Sequence, residues 1–250
     1  MTDPASKKRD ETGTATASVA DELVRMILGR MVPGASLPSE AELAIQHGVS
    51  RVTVREAVKM VAGKGLLDLA RGRRAVVKAP DASALGEFMI YIVQSDPKGV
   101  FDLVEIRMSL EVQSAGLAAR RANRPALAAI ESAFRSMREA QGQLDRGEDE
   151  LAFHEADVGF HQAIALASGN RILTGLFEAM APALKRSFFM SRRGRQMMGL
   201  TSEHTILSHQ RILDCIAAGD GAGAEAAMRV HLTDASREMR AALDGPPLGG

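Results

Sequence analysis

The run Leu37-Pro38-Ser39-Glu40-Ala41-Glu42-Leu43-Ala44, followed by Gly48-Val49-Ser50-Arg51-Val52-Thr53-Val54-Arg55-Glu56-Ala57 and closed by Gly65-Leu66-Leu67, decides the fold of the first part of this chain. Ser39 with Glu42 three residues on is the reciprocal capping pair that opens a helix, and Leu43 and Ala44 give it a short apolar face until Gly48 breaks it. Ser50 caps a next helix over about 51–64, where Val54, Ala57, Val58 and Val61 recur at i, i+3, i+4 and i+7 and Gly65 stands at the C-terminal stop. Upstream, Val19, Leu23, Ile27 and Leu28 recur at helical spacing until Pro33-Gly34 ends that helix. Three helices with a tight turn between the last two form a helix-turn-helix.

The apolar stripe of the third helix turns Arg51, Arg55 and Lys59, at i, i+4 and i+8, onto the opposite face. Such a row is often only a solvated surface. This one follows a turn, opens a helix and precedes a basic hairpin, which is the setting of a major-groove reader. Arginine can bond a guanine edge with both prongs of its fork, and Val52 and Thr53 at the helix start suit a thymine methyl or a phosphate. Leu66 to Leu69 and Ala75 to Val77 then flank Arg71-Gly72-Arg73-Arg74, a two-stranded wing with a basic tip. Gly72 permits a tight turn there, so Arg71 and Arg73 can lie along the minor groove.

Charge agrees with this division. The 250 residues carry 31 Lys/Arg against 31 Asp/Glu, yet residues 1–80 are net +4, residues 81–250 net −4, and residues 48–80 net +6. A patch of that size is suited to phosphates. No apolar run approaches the roughly 18 residues of a membrane span, and Met1 to Thr16 lacks the apolar core of a secretory signal, so a cytoplasmic location is expected. The single cysteine, Cys215, cannot form an internal disulfide and is expected to be a buried, inert thiol.

The expected organisation is a mobile tail over 1–15, a winged helix-turn-helix over 16–79, a linker over 80–84, a helical domain over 85–243 and a flexible tail over 244–250. The long second part is helical in pattern throughout. Breaks near Pro97 to Gly99, Asn123 to Pro125, Gly147, Gly169-Asn170, Gly199 and Gly219 to Gly221 divide it into six or seven helices with no strand. The fold class is therefore mainly α: a winged head followed by an all-α bundle.

Within that bundle Asp157 and His161 are four residues apart, so both project from one helix face at a spacing able to hold a single ion. His209 and His231 flank the Gly219-Asp220-Gly221 turn, each eleven residues from Asp220, which puts both about 16 Å from the turn in an antiparallel hairpin. An oxygen and three imidazoles suit zinc, with nickel or manganese as alternatives, and leave positions open for water or an anion. On spacing alone the four can equally be unrelated groups. His47, His154 and His204 fall outside the set by domain or by helical phase.

The quoted runs of the head resemble, in combination, the DNA-binding domain of the GntR family. That resemblance implies base and phosphate contacts in the major groove from Arg51, Thr53 and Arg55, with Gly72 and its neighbours Arg71 and Arg73 entering the minor groove. Two departures stand out: Ala41 occupies a place where some relatives carry arginine, and Arg74 stands where many have a second wing glycine. In the second part, Glu105-x-Arg107 with Leu110-Glu111, Asp157-x-x-x-His161-x-x-Ile164 with Ala167-Ser168-Gly169-Asn170, His209-x-x-Ile212-Leu213 and His231-Leu232 are similar to the all-helical FCD effector domain of FadR-like regulators. The resemblance covers nearly all of residues 85–240. It implies a divalent metal on Asp157, His161, His209 and His231, and a small carboxylate effector near Arg107. The competing role for Arg107 is an ion pair with Glu111 at i+4.

The family further implies a homodimer that reads a palindromic operator in double-stranded DNA, usually as a repressor, and is not an enzyme. The main competing reading is a metal-dependent hydrolase, because an ion with an open position can activate water; no dedicated general base accompanies the quartet, although Glu105 or Glu111 could approach. An architectural DNA binder without a ligand pocket is the third.

Overall fold

The computed structural model describes residues 4–79, 82–146 and 150–244, with side chains from Gly13 onward except those of Asp145 and Glu150. The chain divides into two compact units, Met1–Asp81 and Ala82–Gly250.

The first unit contains α1 (Pro4–Arg30), α2 (Glu40–His47), α3 (Arg51–Gly63), β1 (Leu67–Asp68) and β2 (Val76–Val77). Ser39 caps α2 by accepting from Glu42 N while Glu42 accepts from Ser39 N, and Ser50 caps α3 by accepting from Thr53 N. Leu23, Ile27, Leu43, Val54, Val61 and Val77 close one core from the three helices and the wing. The strands are antiparallel with Leu67 opposite Val77, and Leu37 N donating to Ala75 O at 2.8 Å ties the wing back to the segment before α2. One boundary is corrected: α1 starts at Pro4, inside the stretch expected to be a mobile tail, and residues 1–3 lie outside the described part. Proline is at home in a first turn, and adding residues to a nucleated helix costs far less than starting one.

The second unit holds α4 (Ser83–Ser95), α5 (Gly99–Arg121), α6 (Arg124–Asp145), α7 (Glu150–Ala167), α8 (Arg171–Met180), α9 (Leu184–Met197), α10 (Ser202–Ala217) and α11 (Gly221–Asp244). That is eight helices rather than six or seven, with no strand, among the described residues. The extra division comes at Pro182, inside a single 3-10 turn over Ala181–Ala183 that splits one apolar run into α8 and α9. Ser83 and Ala84, expected in the linker, already belong to α4, and α11 runs through Asp244; Pro80, Asp81, the Gly147 break and residues 245–250 lie outside the described part. Asn123 and Asn170 cap α6 and α8 with their side chains. Val112 and Ala115 of α5, Phe160 and Ile164 of α7, Ile212 of α10 and Met228 of α11 meet in one buried cluster, so these four helices surround whatever polar groups they turn inward.

Among the described residues no helix is long and apolar enough to cross a membrane. Cys215 is half-buried rather than buried; desolvation first, then Asp220 and Asp214, push its thiol up and keep it protonated.

Candidate functional sites

On the head, α3 exposes Arg51, Val52, Arg55 and Lys59 while Val54, Ala57, Val58 and Val61 face the core. The Arg55 fork is clasped by Glu40 at the start of α2, with Nε 3.1 Å from Oε1 and Nη2 2.8 Å from Oε2. That hydrogen bond is the main reason the Glu40 carboxyl sits below its usual range. Lys59 Nζ rests 2.9 Å from Glu56 Oε1. Thr53, expected to contact DNA at the start of α3, is buried, with its hydroxyl 2.8 Å from Ser50 Oγ inside the helix cap. The Thr53 hydroxyl is taken up by the Ser50 side chain beside the core residues Val54 and Ala57.

At the wing tip Arg73 N donates to Ala70 O at 3.1 Å, closing a turn whose third residue, Gly72, has φ +74. Glycine alone takes that conformation without strain. Arg71, Gly72 and Arg73 are exposed, and Arg74 reaches toward Glu42 at 3.7 Å. An open concavity lies between α3, the start of α2 and the wing, with Arg51, Arg55, Lys59 and Arg73 on its walls.

In the second unit the structure brings together Asp157, His161, His209 and His231 from α7, α10 and α11. One ring nitrogen from each of the three histidines lies within 4.8 Å of the others, and Asp157 Oδ1 is 3.0 Å from His209 Nε2. His209 Nδ1 donates to Thr205 O at 2.7 Å, one turn back along α10, which turns Nε2 toward Asp157 and the other imidazoles. Ser208 Oγ gives its proton to Thr205 O at 2.7 Å and therefore accepts from His231 Nδ1 at 3.1 Å. His161 Nδ1 is 2.6 Å from Glu111 Oε2, with the oxygen off the ring's N–H direction.

His209 and His231 are thus oriented through Nδ1, the arrangement that outer contacts impose on metal-ligating histidines. His161 Nε2 and His209 Nε2 face each other at 3.2 Å in a buried interior, with Asp157 Oδ1 3.0 Å from the same His209 nitrogen. Nitrogens and a carboxylate oxygen this close need a shared proton or a cation among them, and three imidazoles with one carboxylate form a donor set that fits a divalent ion.

Burial raises the Asp157 carboxyl, but the His209 hydrogen bond and the charges of His209, His161 and His231 outweigh it and hold the group well below the carboxylate range. His231 is pushed well below the usual imidazole value by burial first, then by His209 and His161. Glu111 is raised by burial and brought down by Arg107 and His161 to about 2. A carboxyl with a depressed folded value stabilises the fold above its unfolded value of 4.5 and loses that contribution as pH falls toward 2. Between about pH 5 and about pH 3, metal-free protein is therefore expected to lose about 2 kcal/mol more unfolding free energy than its Glu111→Gln variant. Urea unfolding at the two pH values checks this; equal losses in both proteins refute it.

Arg107 makes the i+4 ion pair, with Nε 2.5 Å from Glu111 Oε1 and Nη2 3.4 Å from Oε2. It also lines a cavity of about 40 Å³ shared with Asp157 and His231, so the two roles weighed for it are compatible. His154, set aside by helical phase, lines the same cavity and is buried with Nδ1 lacking any hydrogen-bond partner among the described residues. Its signal was its position three residues before Asp157, a same-face spacing.

The description "Bacterial regulatory proteins, gntR family" matches residues 15–77, and "FCD domain" matches residues 102–234. The HTH-type transcriptional regulator LutR of Bacillus subtilis is 31% identical over 207 residues, covering 82% of this chain and 92% of that protein. The chain belongs to the GntR family. A second relative, the Galactonate operon transcriptional repressor of Escherichia coli, is 29% identical and spans 86% of this chain and 92% of its own length. Among solved structures, Streptococcus agalactiae GntR is similar with a TM-score of 0.70 at 26% identity, covering 89% of this chain and 99% of that one. This GntR chain is accordingly a DNA-binding transcription regulator with a winged helix-turn-helix and an all-helical FCD effector domain.

The sequence pattern of this GntR regulator missed several polar contributors. Glu111 is bound by Arg107 but also reaches His161 fifty residues on, Ser208 meets His231 on the next helix, Arg195 pairs with Glu238 across α9 and α11, and the backbone oxygen of Thr205 orients His209 from one turn back.

Proposed function

We propose that this regulator is a homodimeric repressor whose grip on operator DNA changes when a small carboxylate binds at a divalent cation held by Asp157, His161, His209 and His231. Zinc is the first choice of ion for an oxygen-and-three-nitrogen set, with nickel and manganese next. The observation that carries the reading is the convergence of three buried imidazoles, one nitrogen of each within 4.8 Å of the others, with the Asp157 carboxylate 3.0 Å from one of them. When bound, the cation supplies positive charge and open coordination positions for an acid. Arg107, lining the same cavity, adds a guanidinium for the carboxylate, and Glu111 holds that guanidinium in place.

A hydrolase is less well supported, since both Glu111 oxygens are already committed to Arg107 and His161 and Glu105 is exposed. On the DNA side, Arg51 and Arg55 are the proposed major-groove contacts and Arg71, Gly72 and Arg73 the minor-groove contacts. Thr53 contributes from within the cap at the start of α3. Two-fold pairing would present two such heads to a palindrome.

The test is binding to duplexes that the protein itself enriches from a random library, with and without metal and carboxylic acids. Arg55→Ala is expected to weaken binding about 10- to 100-fold per half-site, the discrimination worth of one bidentate arginine. Unchanged affinity for the enriched duplex would overturn the assignment of α3. Chelation is expected to abolish any response to carboxylic acids; a response that survives chelation would remove the cation from the mechanism.

A further inference from the structure

The cavity beside the cation cluster has a second polar wall that none of its expected roles uses. Glu238 of α11 is buried and takes Arg195 Nε on one oxygen and Arg195 Nη2 on the other, both at 3.0 Å, and Ser191 donates to it as well. The pair cancels its own charge, but not its bonding capacity. A carboxylate can accept about four hydrogen bonds, and three are used, so Glu238 retains room for one more donor and none for an acceptor. His154, which lines the same cavity, is 7% exposed and its Nδ1 has no partner among the described residues. Burial holds this imidazole below its usual value, so it is neutral at ordinary pH and has an unmet bond to offer. A buried polar atom without a partner costs free energy that a ligand of the right shape recovers. Ser187 Oγ, whose proton goes to Leu184 O at 2.7 Å, adds an acceptor to the same wall.

We propose that this wall, formed by Glu238, Ser191, Ser187 and His154, selects a short monocarboxylate carrying hydroxyl groups beyond its second carbon, and rejects dicarboxylates. This rests on the proposed cation and Arg107 site, which would take the carboxylate end. Hydroxyls can donate to Glu238 and Ser187 and meet His154, whereas a second carboxylate would face the Glu238 carboxylate with no free cation beside it, since Arg195 is already paired. A bare alkyl end would leave His154 unpaired. The cavity, at about 40 Å³, holds on the order of three waters and so favours acids of a few carbons.

Four acids of equal chain length separate this inference from the reading beneath it: butyrate, 2-hydroxybutyrate, malate and threonate. The last three share the 2-hydroxyl that can chelate a cation, and they differ at the far end as methyl, carboxylate and hydroxyls. Calorimetric titration of the metal-loaded full chain is expected to rank threonate about 10-fold or more above 2-hydroxybutyrate, with malate weaker than both. Glu238→Gln is expected to narrow the gap between threonate and malate at least about 10-fold, because the amide adds a donor to the wall and Arg195 loses its charged partner. Should Glu238→Gln fail to fold, His154→Phe tests the same wall and is expected to bring threonate down to the level of 2-hydroxybutyrate. If the three hydroxy acids bind equally, or malate binds best, the selective wall is refuted while the cation site stands. If none of the four binds, the site reading itself falls and this inference with it.

Discussion

Replacing His209 with alanine is expected to empty the cation site, lowering affinity for zinc by more than about 100-fold, since even the loss of an outer partner of a metal ligand costs 10- to 100-fold. His209 is the most central of the four groups. Its Nε2 lies 3.0 Å from Asp157 Oδ1 and 3.2 Å from His161 Nε2, and its ring packs edge-on against His231 with centroids 4.2 Å apart. It is fully buried, so water cannot take over the vacated position without a new cavity. Two measurements are needed, because the same change also removes volume from the core. Metal content by mass spectrometry should fall from about one ion per chain to near zero, and the rise in Tm on adding zinc should disappear. The metal-free variant is expected to lose about 2–5 kcal/mol of unfolding free energy, as for other large-to-small changes in a core. Retention of one tightly held ion per chain by this variant would show that the cluster is not the ligand set.

That cluster was legible in part because its residues sit on regular helices. A four-residue interval placed Asp157 and His161 on one face, and equal distances from Asp220 placed His209 and His231 at one height, but joining the two pairs into one set took the resemblance to the FCD domain. The head was legible for a different reason. Ser39 with Glu42, Ser50 and Gly65 act on their immediate neighbours, so local rules suffice to bound α2 and α3. Side-chain direction at a helix start was not legible: Ser39 and Ser50 each cap through the amide three residues on, yet Glu42 is exposed while Thr53 is buried with its hydroxyl against Ser50 Oγ. The start of α1 was hidden because a charged, apolar-poor segment has no periodicity whether or not it is helical. The division at Pro182 was hidden because apolar residues continue across it. Contacts such as His161 with Glu111 and Arg195 with Glu238 depend on how α5, α7, α9 and α11 cross, which is settled by packing and leaves no local mark.

The crossing of α9 and α11 carries the second large effect, at Gly194. A Cβ built there would fall 1.6 Å from the carbonyl oxygen of Glu238, about half of any tolerable separation, and the obstacle is backbone rather than a side chain that can swing away. Gly194→Ala would gain roughly 1 kcal/mol of helix propensity. It would also force two tightly packed helices apart by more than an ångström, and overpacking that shifts backbone costs about 3 kcal/mol or more. Sterics therefore win, and a net loss of at least about 2 kcal/mol is expected, read as a fall in Tm and in the urea midpoint. Gly175 in α8 is the matched control. It is helical and a Cβ added to it would meet nothing within 4 Å, so Gly175→Ala is expected to be neutral or to stabilise by up to about 1 kcal/mol. Separation of α9 from α11 would also pull Arg195 from Glu238, so metal-loaded Gly194→Ala protein that still folds is expected to bind carboxylic acids more weakly while retaining its ion. If Gly194→Ala and Gly175→Ala prove equally stable, the close approach of the two helices is refuted, and with it the rigid placement of Glu238 beside the cavity.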